Sequence, residues 1–224
     1  MMIVKNTKNG AVKKLKLPES DVPFAFFDQQ LIFEEGIKHI QITDYSNFRR
    51  DVVFPSTVTD IDVGSLKRSN LSRIIVSTEN EFFSDQDGIL YSKDKSVLYC
   101  VPKNYAPAII QIPPETKFIS QKAFADCKCI THVTFAGTVQ INKHAFRNSL
   151  ISEVVFREDA YISKEAFFLC AKLHKVISRG KKFSVVKQAF SVCDSLSTIE
   201  TEAGEFIVPL SDDFEIAIRD GKLV

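Results

Sequence analysis

The dipeptide Ala-Phe recurs at Ala123-Phe124, Ala145-Phe146, Ala166-Phe167 and Ala189-Phe190, at intervals of 22, 21 and 23 residues. Nothing else in the chain constrains its fold as much. A fixed period of about 20–50 residues means a stack of like units, each burying its apolar face against the next. Other columns repeat with the same period. An aliphatic residue stands four before the Ala (Ile119, Ile141, Ile162, Val185), and Cys127, Ser149, Cys170 or Cys193 stands four after it. A stretch of the form Leu-x-x-Val-x-Phe follows, carried by Ile130, Val133, Phe135; Ile151, Val154, Phe156; Leu173, Val176, Ser178; and Leu196, Ile199, Thr201. Ile61, Ser65, Leu66, Ser69, Leu71, Ile74 and Val76 form a more worn upstream copy.

Each unit reads as one coil. The Leu-x-x-Val-x-Phe stretch alternates apolar and polar residues, so it predicts a short strand with alternate side chains inward. A turn follows, then the inward aliphatic residue. Asp62, Ser120, Asn142 and Ser163 come next, residue types that accept hydrogen bonds from the free amides of a helix start. The reading therefore places a short helical turn over Ala-Phe, with the Phe filling the space between coils; Val186 breaks the cap column in the last unit. From Val76 to Ile112 the spacing is 36 residues, one coil plus about 14 inserted residues. Within that insertion, Gly88–Tyr91 and Val97–Val101 are apolar, β-prone runs on either side of a polar turn, which predicts a β-hairpin. Residues 1–50 read as a basic tail and N-terminal cap, in which Ala25-Phe26 suggests a degenerate repeat. Residues 51–201 read as repeats with the hairpin at about 82–105, and 202–224 as a C-terminal cap, all in one structural domain.

These residues carry a resemblance. Phe118-Ile119-Ser120-Gln121-Lys122-Ala123-Phe124-Ala125-Asp126-Cys127, with Ile130, Val133 and Phe135 after it, resembles the BspA-like class of leucine-rich repeat. The run Phe83–Asp94, followed by Leu98–Pro102, is similar to the hairpin unit that interrupts arrays of that class. The resemblance implies a leucine-rich repeat solenoid of the α/β class, coiled as a right-handed superhelix. Short parallel strands line its concave face, and short helical turns its convex side. It also implies adhesion to host or matrix proteins, the role associated with family members on bacteria and parasitic protists.

Composition narrows the chemistry. The chain has 29 Lys and Arg against 28 Asp and Glu, so wholesale nucleic-acid binding is not expected. No apolar run approaches the roughly 20 residues of a membrane helix. Met1–Lys8 lacks the apolar stretch of a secretory signal. With an odd count of 5 Cys, this favours free thiols and a cytoplasmic location; the family resemblance offers the cell surface as the alternative. Cys127, Cys170 and Cys193 share one repeat column and lack zinc-ligand spacing, so they read as small buried thiols. His39, His132, His144 and His174 sit in no metal or nucleophile motif, and there is no Gly-rich phosphate loop. An enzyme, a metal, a cofactor and a small-molecule substrate are not expected.

The expected function is non-enzymatic binding of a protein partner through the concave sheet. Strand residues alternating with the core positions point outward. The candidate contacts are Arg73, His132, Glu153, Arg157, Lys175, Ile177, Arg179 and Glu200, a mix of charge and apolar surface that suits a protein interface. The alternative is a polyanion or nucleic acid held by the acid-free basic segment 172–187, through Lys172, Lys175, Arg179, Lys181, Lys182 and Lys187. Such a cluster is more often simply a solvated face. Residues 199–224 carry seven acids beside it.

Overall fold

The computed structural model describes residues 2–5, 12–15, 30–33, 35–44, 50–209 and 214–224. The alternating stretches form strands, as their period requires, and successive coils pair them in parallel. Ile109–Ile112, His132–Phe135, Glu153–Phe156, Lys175–Ser178 and Thr198–Thr201 make one ladder, here ladder A, which Gly204–Ile207 closes antiparallel. Gln30–Ile32, Arg50–Phe54 and Leu71–Val76 form a separate three-stranded parallel sheet upstream. Coil pairing thus already includes residues 30–32. Ala25-Phe26 lies outside the described residues, as does most of the basic tail.

A second ladder, ladder B, runs beside the first. Val97–Cys100, Phe118–Ile119, Val139–Ile141, Ala160–Ile162 and Phe183–Val185 pair in parallel, and Ile216–Arg219 closes them antiparallel. The last residue of each three-residue strand is inward, as its column predicts. Val139, Ala160 and Phe183 are buried as well, while the residue between each pair faces out.

The described residues form a β-solenoid of about seven turns with almost no helix. The expected α/β superhelix with a helical turn in each repeat is therefore corrected. An α-helix is about 10 Å across, whereas strands pair about 4.8 Å apart. With ladders on two sides holding successive coils at strand spacing, a helix per coil does not fit on the third. The Ala-Phe segments instead alternate two kinds of backbone bond. Ala123 N donates to Ser120 O within the coil, Phe124 N to Ala145 O of the next coil at 2.7 Å, Ala125 N back to Lys122 O, and Asp126 N onward to Arg147 O. The alternation places Lys122 and Asp126 in the left-handed region, at φ 63° and 58°. The same two columns are left-handed in later coils, at His144 and Asn148, Glu165 and Leu169, Gln188 and Val192. Each such residue costs about 1–2 kcal/mol, offset by the added inter-coil bonds. Ser120, Asn142, Ser163 and Val186 offer their backbone carbonyls to this turn, so the cap column has no helix to cap and Val186 fits as well as the others.

The one α-helix among the described residues, Val63–Arg68, lies where the array is interrupted. Asp62 caps it through Oδ1, which accepts from Ser65 N at 3.1 Å. The predicted hairpin is present. Phe83–Gln86 and Ile89–Ser92 pair antiparallel, Ile89–Ser92 pairs antiparallel with Val97–Cys100, and Val97–Cys100 joins ladder B. The core divides at this point into two apolar clusters, one from Leu31 to Cys100 and a larger one from Ile89 to Ile218. Between them lies the buried Lys67. Its Nζ donates to Val101 O at 2.7 Å and approaches Ala123 O and Cys127 Sγ at 3.4 Å. The Phe residues of the Ala-Phe pairs form a stack through the larger cluster, with Phe124–Phe146, Phe146–Phe167 and Phe167–Phe190 centroids 4.4, 4.7 and 5.1 Å apart. Coils approach so closely that a Cβ on Gly137 would stand 2.3 Å from Pro114 O.

Candidate functional site

The register of ladder A turns sequence columns into surface rows. One row runs Ile109, His132, Glu153, Lys175; a second runs Gln111, Thr134, Val155, Ile177, Glu200. Arg157 and Arg179 follow the strands as a third, each donating its backbone amide to the preceding coil, at Phe135 O and Phe156 O. Cross-strand polar contacts join neighbouring coils. His132 Nε2 lies 4.0 Å from Glu153 Oε2, and Lys175 Nζ 3.8 Å from the same oxygen. Arg179 reaches Glu200 at 2.5 Å and Glu202 at 3.8 Å. The Arg179 pairs are about half exposed at each partner. At that exposure such pairs add about 0–1 kcal/mol, so the fold does not depend on them.

Five of the eight predicted contacts therefore lie in this sheet, and Arg157 and Arg179 directly follow its strands. Ile177 is not the exposed apolar residue expected. It is only 8% exposed, in the row between Val155 and Glu200. Arg73 belongs to the upstream sheet, across a cleft from Ile109.

The basic segment is spread around one coil. Lys172 precedes the ladder A strand, Lys175 opens it, Arg179 follows it, Lys181 and Lys182 lie at the corner before ladder B, and Lys187 follows ladder B. Lys175 and Arg179 are already paired with carboxylates.

All five cysteines are free thiols; Cys100, Cys127, Cys170 and Cys193 are buried and Cys129 is half-buried. The column thiols bond to carbonyls of the preceding coil, Cys170 Sγ to Phe146 O at 3.0 Å and Cys193 Sγ to Phe167 O at 3.1 Å. Burial pushes the Cys100 thiol up to about 12. Among the described residues, no three His, Cys, Asp or Glu side chains cluster as metal ligands, and no helix is long and apolar enough to cross a membrane.

Residues 103–207 match, in six copies, the family model described as the BspA type leucine rich repeat region. These residues are BspA-type leucine-rich repeats. No curated protein matches the chain. Among solved structures, the pneumococcal vaccine antigen PcpA is similar, with 17% identity, a TM-score of 0.51, and coverage of 74% of this chain and 42% of that one. A leucine-rich repeat protein from Eubacterium ventriosum aligns at 16% identity and a TM-score of 0.48, over 78% of this chain and 55% of that one. A leucine-rich cell surface protein from Faecalibacterium prausnitzii aligns at 16% and 0.45, over 77% and 59%. The chain spans about half the length of these structures. At 17% identity the likeness to PcpA concerns the fold alone. The BspA-type repeat family suggests a protein-interaction or surface repeat module, and leucine-rich repeat proteins are generally non-enzymatic.

The sequence reading missed one site, at the place where the BspA-type array is interrupted. A cleft of about 690 Å³ opens between Arg73 of the upstream sheet, the hairpin turn at Gln86 and Asp87, and the edge strand Ile109–Ile112. Ile89, Tyr91, Tyr105 and Ile110 also line it. Burial raises both phenol pKa values, and Asp87 adds to the rise at each. The available signal was the 36-residue spacing from Val76 to Ile112, which marks a broken ladder.

Proposed function

We propose that the chain is a non-enzymatic protein-interaction or adhesion module that holds a protein partner on the outward face of ladder A. The observation that carries this reading is the coil register. It sets Glu153, Arg157, Lys175 and Arg179 side by side, with His132, Thr134 and Val155 between and beside them. A face that mixes paired charges with apolar side chains can exchange its internal ion pairs for pairs across an interface at little cost. These side chains spread along rows rather than converging on one reacting atom, which favours binding over catalysis.

The test compares capture of a partner from the source cells by the wild type, by Lys175→Glu with Arg179→Glu, and by Lys181→Glu with Lys182→Glu. The reading expects the first pair to abolish capture and the second to leave it intact, with both variants folded by circular dichroism. Equal loss in the two variants, with affinity falling steeply as salt rises, would replace the sheet-face reading by the polyanion one.

A further inference from the structure

The cleft at the interrupted array contains a strand edge without a strand. In ladder A, Ala108 O accepts from His132 N at 3.1 Å and Ile112 O accepts from Ala136 N at 3.1 Å. In a parallel ladder, alternate residues turn their amide and carbonyl to opposite edges. Ile109 and Gln111 therefore aim theirs at the cleft. Ile109–Ile112 pairs only with His132–Phe135, and no described group bonds to its other edge.

Neighbouring edges are treated differently. Gly204–Ile207 covers the far end of the same sheet. Across the cleft, three backbone groups of the upstream strand Leu71–Val76 already have partners from residues 85–104. Gly88 O accepts from Ile74 N at 2.9 Å, Asp85 Oδ1 from Val76 N at 2.7 Å, and Leu71 O from Asn104 N at 3.0 Å. The hairpin thus caps one lip of the break and leaves the other open. Open strand edges recruit further strands, and proteins ordinarily block them. Here the edge is recessed and short, with Pro107 before it and Pro113 and Pro114 after it, which limits it to one short segment.

We propose that this cleft is a peptide-binding site, in which an extended segment of a partner protein adds a strand to the free edge of Ile109–Ile112. The backbone groups of Ile109 and Gln111 supply two donors and two acceptors. A strand laid there turns every second side chain inward onto Ile89, Tyr91, Tyr105 and Ile110, so the segment carries an apolar residue at that position. The intervening side chains point outward between Arg73 and Asp87. The cleft volume of about 690 Å³ lies within the roughly 300–1,000 Å³ usual for binding sites. The site uses the free backbone edge of the strand at which those rows begin, not their charged side chains, so it holds or fails independently of them.

The probe is a random heptapeptide library displayed on phage, selected on the full chain and counter-selected on Gln111→Pro. This substitution deletes one cleft-facing amide and no ladder A bond. Enriched sequences are then made as synthetic peptides, with and without N-methylation of alternate amides. The expected result is a family with apolar residues at alternate positions, binding at least ten-fold more weakly to Gln111→Pro and after N-methylation. The amide protons of Ile109 and Gln111 in the wild type are expected to become slow to exchange. No enrichment on the wild type overturns the proposal, as does binding that ignores N-methylation and leaves both amides exchanging freely. The exchange readout decides the matter even if Gln111→Pro fails to fold.

Discussion

Replacing Phe146 by Ala tests the packing that holds the coils together. Phe146 has no solvent exposure and is stacked on both faces, against Phe124 at 4.4 Å and Phe167 at 4.7 Å. Phe135 meets it edge-on at 6.4 Å. A buried Phe→Ala change costs about 3–5 kcal/mol through lost transfer energy and residual cavity. Two stacked contacts at about 0.5–1.5 kcal/mol each place Phe146 in the upper half of that range. The coils on either side are pinned by two ladders and by the Phe146 N–Ala166 O bond, so they cannot collapse into the hole. Urea unfolding followed by circular dichroism measures the loss. With an m-value of about 3 kcal/mol per molar, the midpoint falls by about 1.5 M. Phe190→Ala is the internal comparison. Phe190 has one close stack at 5.1 Å and only Phe214 at 6.4 Å on its other side, so it should lose less. A cost below about 1 kcal/mol for Phe146→Ala, or a larger one for Phe190→Ala, would refute the reasoning.

Two further outcomes follow from the core. Ser178 occupies the Phe135–Phe156 column with its hydroxyl buried and unpartnered, so Ser178→Ala should raise stability by about 1 kcal/mol in the same assay. In the native protein one thiol, Cys129, should react readily with Ellman's reagent at pH 8, and all five should react in urea. Because the Cys100 thiol is raised from 9 to about 12, the unfolded chain loses that proton first. Its contribution is complete below pH 9 and declines as the pH rises towards 12. Cys100→Ala should flatten that decline by about 1.4 kcal/mol per pH unit.

The period, the ladder A strands, the hairpin and the Phe stack were legible because each follows from a pattern within one coil. Of the 19 Phe, ten lie between residues 118 and 206, and the repeat Ala precedes four of them. Ladder B was half legible, since a three-residue strand such as Val139-Gln140-Ile141 shows alternation too short to distinguish from a turn. The helical turns were misread because Ser120 and Asn142 are good cap residues. What overrides that local preference is the neighbouring coil at strand spacing, which is invisible in any single repeat. Lys67 was hidden for a similar reason, as its carbonyl partners come from residues 34 and 56 positions away. For the site, the columns predicted the charged rows but not their ion pairs, nor the burial of Ile177, because the neighbours that pair or cover a side chain come from other coils. The cleft arises from a mismatch between two arrays and has no motif of its own.

The binding of a protein partner to the charged rows of ladder A is the proposal on which the functional reading rests. Its most direct test is the dissociation constant of the purified partner for the wild type and for Lys175→Glu with Arg179→Glu. A loss of at least ten-fold, with an unchanged urea midpoint, is the predicted result. Equal affinity for the two folded proteins would contradict it.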